Sequence, residues 1–152
     1  MAASDIDAVL ALEQQIPEAP HWRREDYEQS LITDPKAALK RAAFVAESGP
    51  AILGFSGARL VAGIAELESI AVAPGARGQG IGKALLQAVL TWAAELEAVR
   101  LELEVRASNH RAIMVYERCG LRREGLRPGY YQSPSEDAVL MSLELPASGK
   151  LL

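Results

Sequence analysis

The chain has 152 residues, 49% apolar and 24% charged, with a net charge of −4. That length supports one domain with a sizeable core, and residues 1–152 are read as a single domain. The small acidic excess excludes a basic field that would draw in nucleic acid or an anionic membrane, so neither is an expected partner. The oligomeric state stays open. The single cysteine, Cys119, rules out an intrachain disulfide, in keeping with a reducing compartment. Residues Met1 to Gln15 lack a basic start and carry Asp5, Asp7 and Glu13, unlike a secretory signal. No stretch approaches the roughly 20 apolar residues of a membrane span. A soluble, cytoplasmic protein is the expectation.

In chain order, Ser4 is placed to cap a first helix whose apolar positions are Ile6, Val9, Leu10 and Leu12. A second helix is expected over about Arg24 to Leu31, in a region punctuated by Pro17, Pro20 and Pro35. Ala43 to Glu47 reads as a strand. Ile52 to Phe55 and Leu60 to Val72 read as further strands, with a turn near Ser56 and Gly57. After Ala73-Pro74-Gly75-Ala76 comes a strong helix, with Ile81, Leu85, Val89, Trp92 and Leu96 at helical spacing. Arg100 to Arg106 alternates, Leu101, Leu103 and Val105 against Glu102 and Glu104. Ser108-Asn109 offers a helix start, Ile113 and Tyr116 share a helical face, and Gly120 offers the stop. Val139, Met141, Leu143 and Leu145 alternate as a closing strand. The order predicts a mixed α/β sheet covered by helices.

The most informative transition runs from the strand Glu68-Ser69-Ile70-Ala71-Val72 into Arg77-Gly78-Gln79-Gly80-Ile81-Gly82-Lys83 and then the helix. Glycines let a backbone approach closely, their N–H groups converge, and a helix N-terminus adds partial positive charge. Such a loop suits an anion, with Arg77 and Lys83 as added attraction. On the loop alone, a tight turn that binds nothing is the competing reading. A Walker loop needs Ser or Thr after its lysine, and Ala84 follows Lys83. A Rossmann loop has G-x-G-x-x-G after a first strand, and these glycines run G-x-G-x-G deep in the chain. His21 and His110 are isolated, so no metal is expected. Cys119 reads as a small buried hydrophobe.

Arg77 to Gly82 resembles the signature (Q/R)-x-x-G-x-(G/A) of the GNAT acetyltransferases, which cradles the pyrophosphate of coenzyme A. Leu103-Glu104-Val105-Arg106-Ala107-Ser108-Asn109, Ala112-Ile113 and Tyr116-Glu117 resemble the RimI type, which acetylates the N-terminal alanine of a small-subunit ribosomal protein. Arg127, Tyr130-Tyr131, Glu136-Asp137-Ala138 and Met141 extend that likeness. It is strong from Gly63 to Leu145 and loose before, Pro20-His21-Trp22 included. Ser69 stands where the type often has asparagine, Glu68 replaces an apolar residue, and Cys119-Gly120-Leu121 replaces Leu-Gly-Phe.

The resemblance implies a GNAT fold, a mixed, mostly antiparallel sheet flanked by helices, with acetyl-coenzyme A as co-substrate. It implies that the strand Ile70, Ala71 and Val72 splays from its neighbour and binds the pantetheine arm, and that Asn109 touches the coenzyme. It also implies direct attack, with Glu104 as general base, through water, and Tyr116 as general acid. That chemistry is what amine acetylation needs: an α-amine with a pKa near 8 must lose a proton, and the departing thiolate gains one. Glu66 and Glu68 are further base or acceptor candidates, and Tyr130 and Tyr131 are candidates to line the acceptor groove. Glu66, Glu68, Glu102 and Glu104 are expected to form an acidic rim. The expected acceptor partner is a protein or peptide N-terminus. A small amine, such as a polyamine or aminoglycoside, is the runner-up, and a non-catalytic acyl-coenzyme A-binding module is a third reading.

Overall fold

The computed structural model of the chain describes residues 1–147. A 3-10 turn at Ala3–Asp5 leads into α1 (Ile6–Glu13), and α2 spans Arg24–Ser30. Ile6, Val9 and Leu12 are buried, as their spacing predicts. Ser4 does not cap α1. It lies inside the 3-10 turn, where the Asp5 carboxylate accepts the Ala2 N–H at 2.7 Å, so an acidic side chain closes this start instead.

The strands β1 (Leu39–Ser48), β2 (Ala51–Val61) and β3 (Ile64–Val72) form a meander. The turn expected near Ser56 and Gly57 is not there. Both residues lie inside β2, and the chain reverses at Ala62-Gly63, where φ is +50° and +81°. A two-residue reversal of this kind needs positive φ at both positions. Gly57 is small for a different reason. A Cβ there would sit 3.1 Å from the Trp22 ring and 3.0 Å from the Ser69 hydroxyl, so the glycine marks close packing.

Next come α3 (Ile81–Glu95), β4 (Arg100–Arg106), α4 (His110–Arg118), β5 (Arg122–Tyr131) and β6 (Glu136–Glu144). Asn109 caps α4 as expected, its Oδ1 accepting the Ala112 N–H at 3.2 Å. Gly120, at φ +97°, follows the helix. The six strands order as β1-β2-β3-β4-β6-β5. Only β3 and β4, the pair joined through α3, run parallel. The sheet is therefore mixed and mostly antiparallel, as expected. Helices α3 and α4 cover one face through Leu86, Val89, Ile113 and Tyr116 against Leu101, Leu103, Val105 and Met141. The other face carries α1 and α2, with Ile6, Val9, Leu12 and Tyr27 against Phe55 and Ala71. Each fully buried large apolar side chain contributes on the order of 1.5–3 kcal/mol.

Candidate active site

Strand β3 is the axis of the site. Its parallel pairing with β4 covers only Ile64, Ala65 and Glu66 against Arg100, Leu101 and Glu102. Beyond Glu66 the two strands part. The Ala73 N–H donates to the Leu53 carbonyl at 2.7 Å, so Ala73 and Ala71 aim their backbone groups at β2. By strand alternation, Ile70 and Val72 aim theirs into the gap. The Val72 carbonyl accepts Arg77 Nε at 3.3 Å there. A β-bulge shapes the same stretch. Gly57 pairs with Ser69 and Ala58 with Leu67, leaving Glu68 as an extra residue on β3. The bulge shifts the alternation by one and turns Val72 toward Gly82 of α3.

The glycine loop opens beside this gap. Gly78 and Gly80 have φ of +79° and +81°, a left-handed conformation that favours glycine, and a Cβ at either would meet nothing within 4 Å. The space before the loop is open. Gly80 is the residue before α3 and has no side-chain cap, so the first N–H groups of the helix face outward. Arg77, Gln79 and Lys83 are exposed around it, and Ile81 and Gly82 are half-buried.

The carboxylates do not form a bare acidic rim. Glu66 and Glu102 are register partners, and their side chains share the face that carries Glu68 and Glu104, but each has an arginine. Arg59 Nη2 lies 2.6 Å from Glu66, and Arg41 Nη1 lies 2.8 Å from Glu68, with Arg59 3.6 Å from the same carboxylate. Arg100 Nε meets Glu102 at 2.8 Å, and Arg127 Nη1 meets Glu104 at 3.0 Å. The rim is an arginine–glutamate lattice, since like charges on adjacent strands need neutralising. Burial pushes the Glu68 carboxyl up, against the pull of Arg41 and Arg59. The sequence reading singled out Arg127 only as part of a likeness and missed Arg41 and Arg59. Both fall just outside the strands expected from the sequence, and which carboxylate each meets depends on register.

Glu104 and Tyr116 flank β4 from opposite faces. Glu104 lies on the lattice side with its side chain 21% exposed, and Tyr116 packs on the helix side with Leu103 and Val105. Both lie along β4 beyond Glu102, where β3 has left it. Burial first, then the nearby Tyr131, pushes the Tyr116 phenol above its ordinary range, so it is protonated at neutral pH. Tyr131 is pushed up to about 12 by burial and by Glu104, and its ring stacks under Arg106 at 4.3 Å. The nearby Glu104 carboxylate holds the Tyr130 phenol above its ordinary range. An irregularity in the β5–β6 pairing between Arg127 and Tyr131 brings both tyrosines to this side. Among the described residues, no group of three or more His, Cys, Asp or Glu is placed to hold a metal, and no helix is long and apolar enough to cross a membrane.

A central strand that gives up its partner beside an outward-facing helix start offers free backbone groups and a helix N-terminus to an extended, phosphate-bearing ligand. The description "Acetyltransferase (GNAT) family" matches residues 7–121, and the chain belongs to that family, whose members use acetyl-coenzyme A. It is 33% identical over 141 residues to a putative [ribosomal protein bS18]-alanine N-acetyltransferase of Bacillus subtilis (strain 168), covering 93% of this chain and 90% of the relative. The crystal structure of the ribosomal-protein-S18-alanine N-acetyltransferase from Escherichia coli matches with a TM-score of 0.80 at 28% identity, over 100% of this chain and 95% of that one. A streptothricin acetyltransferase of Streptomyces lavendulae is 42% identical over 83 residues, 53% of this chain and 44% of its own. The protein is thus an N-acetyltransferase similar to the RimI type.

Proposed function

We propose that the chain transfers the acetyl group of acetyl-coenzyme A to the α-amine of a protein N-terminus, and that this is the N-terminal alanine of a small-subunit ribosomal protein. The observation that carries the reading is the gap between β3 and β4, with Glu104 on one side and Tyr116 on the other. A thioester laid in that gap is approached from the lattice face by an amine and from the helix face by a proton donor. The full-length similarity to an alanine N-acetyltransferase supports the acceptor.

In this reading the pyrophosphate lies against Arg77 to Lys83, the pantetheine arm against Ile70, Ala71 and Val72, and the coenzyme reaches Asn109. Glu104 takes the amine proton through water. The nitrogen then attacks the thioester carbon and gives up its second proton, the carbon–sulfur bond breaks, and Tyr116 protonates the departing sulfur, its phenol being restored by the proton the nitrogen has released. Glu66, Glu68, Tyr130 and Tyr131 line the acceptor side. Mass spectrometry tests it. With acetyl-coenzyme A, an alanine-started peptide should gain one acetyl group at its α-nitrogen, and no product from any peptide would refute the reading. Partial similarity to a streptothricin acetyltransferase favours a small amine as the second reading. Acetylated amine without acetylated peptide would establish that one instead.

A further inference from the structure

At the end of α1, Glu13 has no exposed surface. Its Oε1 accepts the Tyr27 hydroxyl, from α2, and the Trp22 N–H at 3.4 Å. Its Oε2 has no partner among the described residues. Both donors are neutral, so this buried carboxylate is held by a phenol and a peptide group. Burying a polar group so sparsely satisfied costs stability, and an apolar pair of the same shape would serve packing as well or better. Packing alone therefore does not account for a glutamate here.

What Glu13 holds is Trp22. The indole packs on Tyr27 with ring centroids 5.3 Å apart, and Tyr27 packs edge-on against Phe55 at 6.1 Å. On its other side the indole lies against Gly57, over Ser69 of β3, whose Oγ is also buried without a partner. Preceding Trp22, His21 has φ +52°, so the segment between α1 and α2 is not held by ordinary backbone preference. Trp22 then forms a wall, with Asp26, Gln29, Leu39 and Arg41, of a cavity that ends on Glu68. Glu68 is tied to its neighbour Glu66 through Arg59, which lies 2.6 Å from Glu66 and 3.6 Å from Glu68.

We propose that Glu13 is a positioning residue for the acceptor: by tying Trp22 to Tyr27 it fixes the wall of the acceptor cavity. The proposal rests on the acetyltransferase reading and on entry of the amine from the lattice face. It separates acceptor binding from both stability and coenzyme binding. The double variant Glu13→Leu/Tyr27→Phe removes the buried carboxylate and its phenol partner at once, leaving only the part-buried Trp22 N–H, whose bond to Glu13 is long at 3.4 Å, without its acceptor. Its melting temperature should equal or exceed that of the wild type. Its KM for the acceptor should rise about five- to tenfold, the effect of one lost positioning hydrogen bond, with kcat and the Kd of acetyl-coenzyme A within about twofold. Glu13→Gln keeps an acceptor oxygen for Tyr27 and should retain most of the affinity. An unchanged acceptor KM in the folded double variant overturns the proposal. So does a parallel loss of melting temperature, coenzyme affinity and acceptor affinity, which is what general packing would give. If the double variant does not fold, Tyr27→Phe alone decides on the same acceptor KM. The KM is read with whichever amine is turned over, so a small-amine substrate would refute the peptide reading and leave this test intact.

Discussion

Tyr116 carries two burdens at the residue scale. It fills the core between α4 and β4, and in the proposed mechanism its hydroxyl protonates the leaving sulfur. Tyr116→Phe separates them, because the ring stays and only the proton donor goes. Turnover should fall by about 100- to 10,000-fold, the usual contribution of a general acid, with the Kd of acetyl-coenzyme A little changed in calorimetry. Its raised pKa has a definite sign. The acid form persists above the ordinary tyrosine range, so turnover should show no alkaline loss from this group up to about pH 10. A falling limb centred near pH 9 that vanishes in Tyr116→Phe would contradict that. Glu104→Gln should also lower turnover, and the deficit should shrink as pH rises and more amine is already neutral. Normal turnover of Glu104→Gln at neutral pH would move the base role to Glu66, Glu68 or solvent.

At the scale of elements, the strand–loop–helix unit from β3 to α3 makes opposite demands on two glycines. Gly80 has φ +81° and faces open space, whereas Gly82 has no positive φ and a Cβ there would sit 3.9 Å from Val72, in ordinary contact. Gly80→Glu should strain the turn and put negative charge where phosphate belongs, so calorimetry should show coenzyme binding severely weakened. Equal affinity in the folded variant would sink the site. Gly82→Ala should bind normally and gain up to about 1 kcal/mol of helix stability, read as a higher melting temperature. This unit was legible in the sequence because glycine spacing and helical periodicity are local signals. The β3–β4 gap was not, since alternation cannot tell which strand leaves its partner; only the resemblance implied it. Ser56-Gly57 misled because a serine–glycine pair looks the same whether it turns the chain or makes room for Trp22. Glu13 falls four residues after Val9 and seven after Ile6, on the buried stripe of α1, but a glutamate followed by Gln14 and Gln15 reads as the polar end of the helix. The limits of β5 were hidden too: it is an edge strand with nine of its ten residues exposed, so no apolar alternation marks it.

For the whole molecule the question is how an amine is chosen. The net charge of −4 and four clustered glutamates suggested a field that concentrates cations. Each of those glutamates now has an arginine within 3.0 Å, so the groove has little unbalanced charge to offer. Steering by charge would in any case favour a polyamine as much as a peptide. Basicity does discriminate. An α-amine with a pKa near 8 loses its proton for roughly 3 kcal/mol less than a lysine side chain at about 10.4. We therefore expect, in a competition at pH 7, that an Ala-Arg-started peptide is acetylated well ahead of the same peptide with a blocked N-terminus and an internal lysine, and ahead of spermidine. The sign of the pH dependence follows. Between pH 7 and 9 the neutral fraction of the α-amine rises about tenfold and that of lysine about a hundredfold, so the α-amine's lead should shrink by about tenfold. A lead that holds constant with pH would place the selection in contacts such as Tyr130, Tyr131 and the Trp22 wall. Preference for the blocked peptide or for spermidine at pH 7 would overturn the N-terminal assignment while leaving the acetyltransferase intact.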